Sequence, residues 1–108
     1  MILVFKHIFP KRYVGLTFWP LIILKEDGLK QDEVLINHEK IHLRQQLELL
    51  ILPFYIWYFV EWLIGILKYR NLNMAYRNIS FEKEAYANEG SLDYLSNRSP
   101  YAFFGYLF

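Results

Sequence analysis

The run His38-Glu39-Lys40-Ile41-His42 spends two of the chain's three histidines within five positions and sets a carboxylate directly after the first. Residues four apart share one face of a helix, so two imidazoles at this spacing can grip one Zn²⁺ while the carboxylate between them reaches the metal's water. Zinc held this way brings the pKa of that water to about 7 and polarises a carbonyl. Glu39 is then the general base, taking the proton during attack and passing it to the leaving amine. The same five residues also fit a surface helix with hydrated histidines, so the rest of a site has to be found elsewhere in the chain.

A catalytic zinc normally has three protein ligands and one open position. No histidine follows His42, and there is no cysteine, which excludes metzincin-like and deformylase-like completions and leaves carboxylates. The candidates are Glu48, Glu61, Glu82, Glu84, Glu89 and Asp93. Glu48 lies on the motif helix but on the wrong face, and Glu61 sits in an apolar stretch with Gly65 one turn on. Within the downstream cluster, Glu84-Ala85-Tyr86-Ala87-Asn88 spells ExxAN. It offers a ligand, a small residue permitting close helix approach, and at i+4 a polar group to accept a histidine's second N–H. Glu82 has Tyr86 at i+4 instead, which ranks Glu84 ahead of Glu82 as the third ligand, with Asn88 as the partner behind it. The two glutamates lie about 200° apart around a helix of 3.6 residues per turn, so only one can face the metal. Tyr76, Arg77, Tyr86 and His7 are available as oxyanion donors, and spacing does not choose among them.

HExxH followed by ExxA and then Asp or Asn resembles the gluzincin metallopeptidases. Over residues 14–88 the chain is similar to the membrane-embedded beta-lactam-sensor and antirepressor branch: a Gly-containing strand VGLTFWPLIIL, the acidic stretch DEVLIN, HEKIH, a long apolar segment, then AYRNISFEKEAYAN. The resemblance implies His38, His42 and Glu84 as zinc ligands and Glu39 as catalytic base. Asn88 stands where an Asp is often found, which weakens the negative charge behind the ligand histidine. A sensing role does not carry over, because the several membrane helices of the sensor type are missing. The soluble ImmA/IrrE-like peptidases share the Asn spelling but lack the apolar insert.

These groups must be positioned by one small domain spanning 1–108, whose length suits a single core. Residues 13–25 are rich in β-branched and aromatic types and end at Glu26-Asp27-Gly28, so they read as extended, with Pro20 confining them to an edge or a break. Such an edge suits either β-augmentation by a peptide or simple cover for a helix. Asp32 can cap the motif helix, which Pro53 interrupts. Gln45 and Gln46, one turn past His42, either line the cleft or decorate the helix face. Residues 49–67 are almost continuously apolar and long enough for a bilayer, with Glu61 wanting a partner. Residues 71–77 read as a polar connection, 79–88 as a helix, and the aromatic tail from 98 onward as packing.

The expected fold is α+β: a zincin-like domain with an edge strand or hairpin, an HExxH helix, a long apolar helix and a C-terminal helix bearing the third ligand. A simple span by 49–67 would put His42 and Glu84 on opposite sides of the bilayer, so the apolar helix must lie in the interface, re-enter, or pack within the domain or a dimer. Charge is +1 and dispersed, which argues against nucleic acid. Together these features point to a zinc-dependent peptidase acting on peptide or protein substrates at a membrane surface, its site facing the cytoplasm, with a homo-oligomer possible. A non-catalytic zinc-binding or interaction module and a soluble cytoplasmic peptidase are the alternatives.

Overall fold

The computed structural model describes residues 2–5 and 14–107. It is a mixed α+β domain in which a three-stranded sheet lies against a group of helices. Strands β1 (Ile2–Val4), β2 (Gly15–Phe18) and β3 (Leu21–Leu24) run in the order β1-β3-β2, with β1 parallel and β2 antiparallel to β3. The extended segment read around Pro20 is therefore a hairpin, turning at the cis Trp19–Pro20 bond and leaving β2 as an edge strand. Ile22 and Leu24 of β3 are buried, whereas Leu16 and Phe18 of β2 are exposed.

A 3₁₀ turn (Asp27–Gln31) leads into α1 (Glu33–Leu49), whose first turn is capped as expected: Asp32 Oδ1 accepts from Leu35 N at 3.1 Å. The break falls at Leu50, in the left-handed region at φ 60°, and at Ile51, just ahead of Pro53. Proline cannot continue α1, because it has no N–H and its ring collides with the carbonyl four residues back, here Leu49. It is at home in the first turn of a new helix, α2 (Leu52–Tyr69), bent by 111° from α1. No single helix among the described residues is long and apolar enough to cross a membrane.

The connection read at 71–77 contains a short helix, α3 (Leu72–Arg77), capped by Asn71 Oδ1 accepting from Met74 N. It packs closely on α2 because Gly65 has no side chain: a Cβ there would stand 3.0 Å from both Cα and Cβ of Ala75. Helix α4 (Ser80–Asn88) follows, then α5 (Tyr94–Asn97) and a 3₁₀ turn (Ala102–Tyr106). Glu61 finds its partner at the start of α4, accepting from Ser80 N at 2.8 Å and Ser80 Oγ at 2.6 Å. Its negative charge thus sits at the positive end of a helix dipole.

The hydrophobic core joins Phe54, Ile79, Phe81 and Phe103, with Phe81 ring centroids 4.5 Å from Phe54 and 4.8 Å from Phe103. Burying each such side chain contributes about 1.5–3 kcal/mol. Phe103 therefore ties the aromatic tail to the domain by packing, as its composition suggested.

Candidate metal centre

Helices α1 and α4 cross so that His38 and His42 of one meet Glu82 of the other. Glu82 Oε1 lies 3.1 Å from Nε2 of each histidine, and the two Nε2 atoms are 3.2 Å apart. All three residues are buried, and their donor atoms form a nearly equilateral triangle that could hold a metal ion. Each member is fixed from behind. His38 Nδ1 is 2.7 Å from Glu89 Oε2, His42 Nδ1 is 2.8 Å from Gln45 Oε1, and Tyr58 OH of α2 donates to Glu82 Oε2 at 2.7 Å. The Tyr86 ring packs edge-on against His38 with centroids 4.5 Å apart, and the Arg77 guanidinium lies over the same ring, 3.8 Å from its centroid.

The structure brings Glu82, the second-ranked of the two glutamates, to the histidines, and not Glu84. Glu84 is turned away from the histidines into a separate buried cluster, where Arg98 grips both its oxygens, Gln45 Nε2 donates at 3.0 Å and Tyr94 OH at 2.7 Å. Two positions along α4 amount to roughly 200°, so bringing Glu82 to the histidines sends Glu84 to the opposite side. Asn88 moves with it: its amide donates to Glu84 O and Tyr106 OH, so it is not a histidine partner. Those partners are Glu89 and Gln45. Glu89 carries its own signal, since it lies seven residues after Glu82 on the same helix stripe. Tyr86, between them, counted against Glu82 in the sequence, yet its contact with His38 is a packed ring face.

Glu39 stays outside the triangle. Its carboxylate accepts from Thr17 Oγ1 of β2, and a Cβ on Gly15 would stand 2.7 Å from Glu39 Oε1, so glycine leaves the space this carboxylate occupies. Gln46 ties the same strand to α1, accepting from Trp19 N at 2.7 Å and donating to Thr17 O at 3.0 Å, while Tyr55 OH also donates to Thr17 O. Gln45 and Gln46 are thus structural bonds of the site, both buried. Beside Glu39 opens a cavity of about 420 Å³ lined by Gly15, Thr17, the two histidines and Glu82 on one side and by Phe54, Tyr55, Tyr58 and Trp62 of α2 on the other. Tyr76 lines it as well, its OH 3.2 Å from that of Tyr86. Of the possible oxyanion donors, Tyr76 lines this cavity, Arg77 and Tyr86 do not, and His7 lies outside the described residues.

The electrostatics follow from burying these groups together. Burial alone would lower the His42 pKa, but the Glu82 carboxylate in contact with it, with Glu39 nearby, raises it from 6.5 to about 9. Burial alone would raise Glu82, and the two histidines outweigh it, holding this carboxyl well below the usual carboxylate range. Both shifts express one interaction and are not additive. Glu84 is likewise held below its ordinary value against burial, by Arg98, Gln45 and Tyr94.

No family model, no curated protein and no solved structure matches this chain.

Two outcomes follow from this geometry. With zinc as the probe and a competing chelator, Glu82→Ala should lose more affinity than the roughly 10- to 100-fold typical of an outer partner, whereas Asn88→Ala should leave it unchanged; the opposite ranking would return the ligand role to the Glu84 side of α4. In the metal-free protein, the raised His42 pKa stabilises the fold fully below pH 6.5, and this contribution disappears as pH rises through about 9. Glu82, lowered from 4.5, contributes above that value and loses its effect as pH falls below it. Denaturation midpoints measured with chelator present should therefore decline between pH 6.5 and 9, and a profile without that decline would contradict the ion pair.

Proposed function

We propose that the chain is a zinc-dependent peptidase in which His38, His42 and Glu82 hold the metal and Glu39 is the general base. The observation that carries this reading is the division of roles among buried groups: three donors converge on one point, while a fourth, Glu39, faces the same cavity without joining them. Nitrogen and oxygen ligands about 2.0–2.1 Å from a tetrahedral zinc stand about 3.3 Å from one another. The separations of 3.1, 3.1 and 3.2 Å match that requirement with little adjustment. Two imidazoles and one carboxylate, with no thiolate, are also a donor set suited to a catalytic zinc that keeps an open position. Bound there, zinc would supply an acidified water and a Lewis acid for the substrate carbonyl.

The chain's own residues divide the remaining work. Glu39, steadied by Thr17, takes a proton from water and delivers it to the leaving nitrogen. Tyr76, whose pKa burial pushes upward, keeps its proton and serves as the donor to the developing oxyanion. Backbone groups alternate in direction along a strand, and Thr17 O points at Gln46 while Val14 O accepts from Lys25 N of the paired side. Gly15 therefore faces outward with Thr17, and its backbone is the position at which an extended peptide can pair beside Glu39. An HExxH helix, an edge strand alongside it and a carboxylate ligand from a later helix are the elements of a minimal zincin-like arrangement.

The location we propose is a membrane surface. Leu52, Ile56, Phe59, Val60, Leu63, Ile64 and Leu67 form one outward stripe on α2, with Leu67 80 % and Leu52 69 % exposed. The helix's one carboxylate, Glu61, is turned inward to Ser80, and the cations Lys68 and Arg70 with Tyr69 gather at its end. An apolar face ending in Lys, Arg and Tyr suits a helix lying in the headgroup region. The same helix lines the cavity with Tyr55, Tyr58 and Trp62, so a substrate segment near the bilayer would reach the site directly.

Glu39→Gln should retain stoichiometric zinc and lose peptide hydrolysis, by about 10²–10⁴-fold as general-base catalysis contributes. Zinc content together with cleavage of a peptide library measures both, and wild-type turnover in the variant would end the assignment of Glu39. For the membrane, co-sedimentation with anionic vesicles should be strong in wild type and sharply reduced in Phe59→Ser/Ile64→Ser. Equal recovery of both proteins in the supernatant would point to a soluble domain, and a concentration-dependent dimer lost in the variant would assign the stripe to a second copy.

A further inference from the structure

Behind the triangle lies a second cluster of charges, Arg98 with Glu48 and Glu84. The Arg98 side chain is 0 % exposed and binds two carboxylates from different helices. Its Nη1 and Nη2 reach Glu48 of α1 at 2.7 and 2.9 Å, and its Nε and Nη2 reach both oxygens of Glu84. With Tyr94 and Gln45 added, four donors converge on Glu84, so it acts solely as an acceptor.

The consequence passes to His42 through one amide. Gln45 Nε2 has two hydrogens, and its two neighbours are both acceptors: Phe81 O at 3.1 Å and Glu84 Oε1 at 3.0 Å. That fixes which end of the carboxamide is nitrogen. Gln45 Oε1 must then face His42 Nδ1 at 2.8 Å, where it can only accept. The hydrogen on Nδ1 is therefore fixed in place, which leaves Nε2, the nitrogen that faces His38 and Glu82, as the one that gives up its proton when a metal binds.

We infer that Arg98 is a positioning residue for the metal centre: through Glu84 and Gln45 it sets the His42 ring in the form whose Nε2 binds metal. The segment carrying Arg98 contributes no ligand, yet it governs how well the ligands work. Tyr101 N donates to Glu48 Oε2 at 2.9 Å, so docking of this segment on α1 and formation of the relay are one event. Without Arg98, Glu84 keeps only Tyr94 and Gln45 as donors and is held less firmly against the amide, whose orientation then rests on Phe81 O alone.

The inference rests on the metal reading above, and the test separates the two. Zinc affinity is measured by chelator competition on full-length wild type, Arg98→Met, Arg98→Lys and Gln45→Leu, and the zinc-loaded proteins are examined by ¹H–¹⁵N NMR of the histidine rings. Wild type should show one zinc and a slowly exchanging Nδ1–H on His42. Arg98→Met should lose about 10- to 100-fold in affinity together with that protected signal, and Arg98→Lys should recover part of both. Gln45→Leu cuts the relay while leaving the Arg98 ion cluster in place, so it decides the matter should Arg98→Met fail to fold. A wild type that binds no zinc would defeat the metal reading itself. Zinc binding with wild-type affinity and an unchanged His42 Nδ1–H in Gln45→Leu, or in a folded Arg98→Met, would overturn the role of Arg98.

Discussion

Everything around the site depends on the contact between α1 and α4, across which Glu82 meets two histidines. Burying a polar group without a partner costs several kcal/mol, and a lone charge costs more. The face of α1 that packs inward carries Asn37, His38, Glu39, His42, Gln45 and Gln46, all buried, so a partner is demanded at each. Among the described residues no buried side-chain nitrogen or oxygen is left without one. Asn37 takes the carbonyls of Asn88, Glu89 and Ser91 at the end of α4, Gln46 takes the edge strand, and Gln45 takes both the turn of α4 at Phe81 and Glu84. The polar face of α1 thus determines where the sheet, α4 and the tail can sit.

The parts of this arrangement legible in the sequence were those encoded by short-range spacing. HEKIH places its groups through helix periodicity alone, Asp32 caps the helix it precedes, and the incompatibility of Glu82 and Glu84 is a matter of angle around one axis. Which of the two faces inward is not local. It depends on how α4 is rotated against α1, and that rotation is set by Phe81, wholly buried between Phe54 and Phe103, and by Ala85 packed in the interior. The weight given to Asn88 rested on a polar residue at i+4, whereas the outer partners came from i+3 on α1, as Gln45, and from the residue that caps the end of α4, seven positions after Glu82, as Glu89. Arg98 had no sequence signal, since its meaning appears only when Glu48 and Glu84 are brought beside it.

The apolar segment posed a topological difficulty that one bend resolves. Taken as a continuous helix, residues 49–67 would carry the chain away from the histidines. Leu50 in its left-handed conformation and Pro53 in the first turn of α2 fold the segment back, so that Phe54 and Tyr58 lie beside the His38, His42 and Glu82 group while the opposite stripe is left exposed among the described residues. Gly65 then admits α3 against α2, and Glu61 anchors the start of α4. An amphipathic pattern hidden by nearly uniform hydrophobicity is thereby divided into an aromatic side facing the cavity and an aliphatic side facing outward.

The clamp formed by Gln46 has a bearing on solubility. An exposed strand edge is a template for pairing with other copies of the chain, and β2 is hydrophobic, with Leu16 and Phe18 both exposed. A carboxamide presents one acceptor and a pair of donors in a plane, and here it meets Trp19 N and Thr17 O as a neighbouring backbone would. The side chain is a one-residue imitation of a further strand, grown from a helix and therefore unable to propagate. Half of the outward edge is closed to cross-β stacking by this means, without the lysine or proline that usually guards such edges, and the stretch at Gly15 is too short to nucleate a sheet.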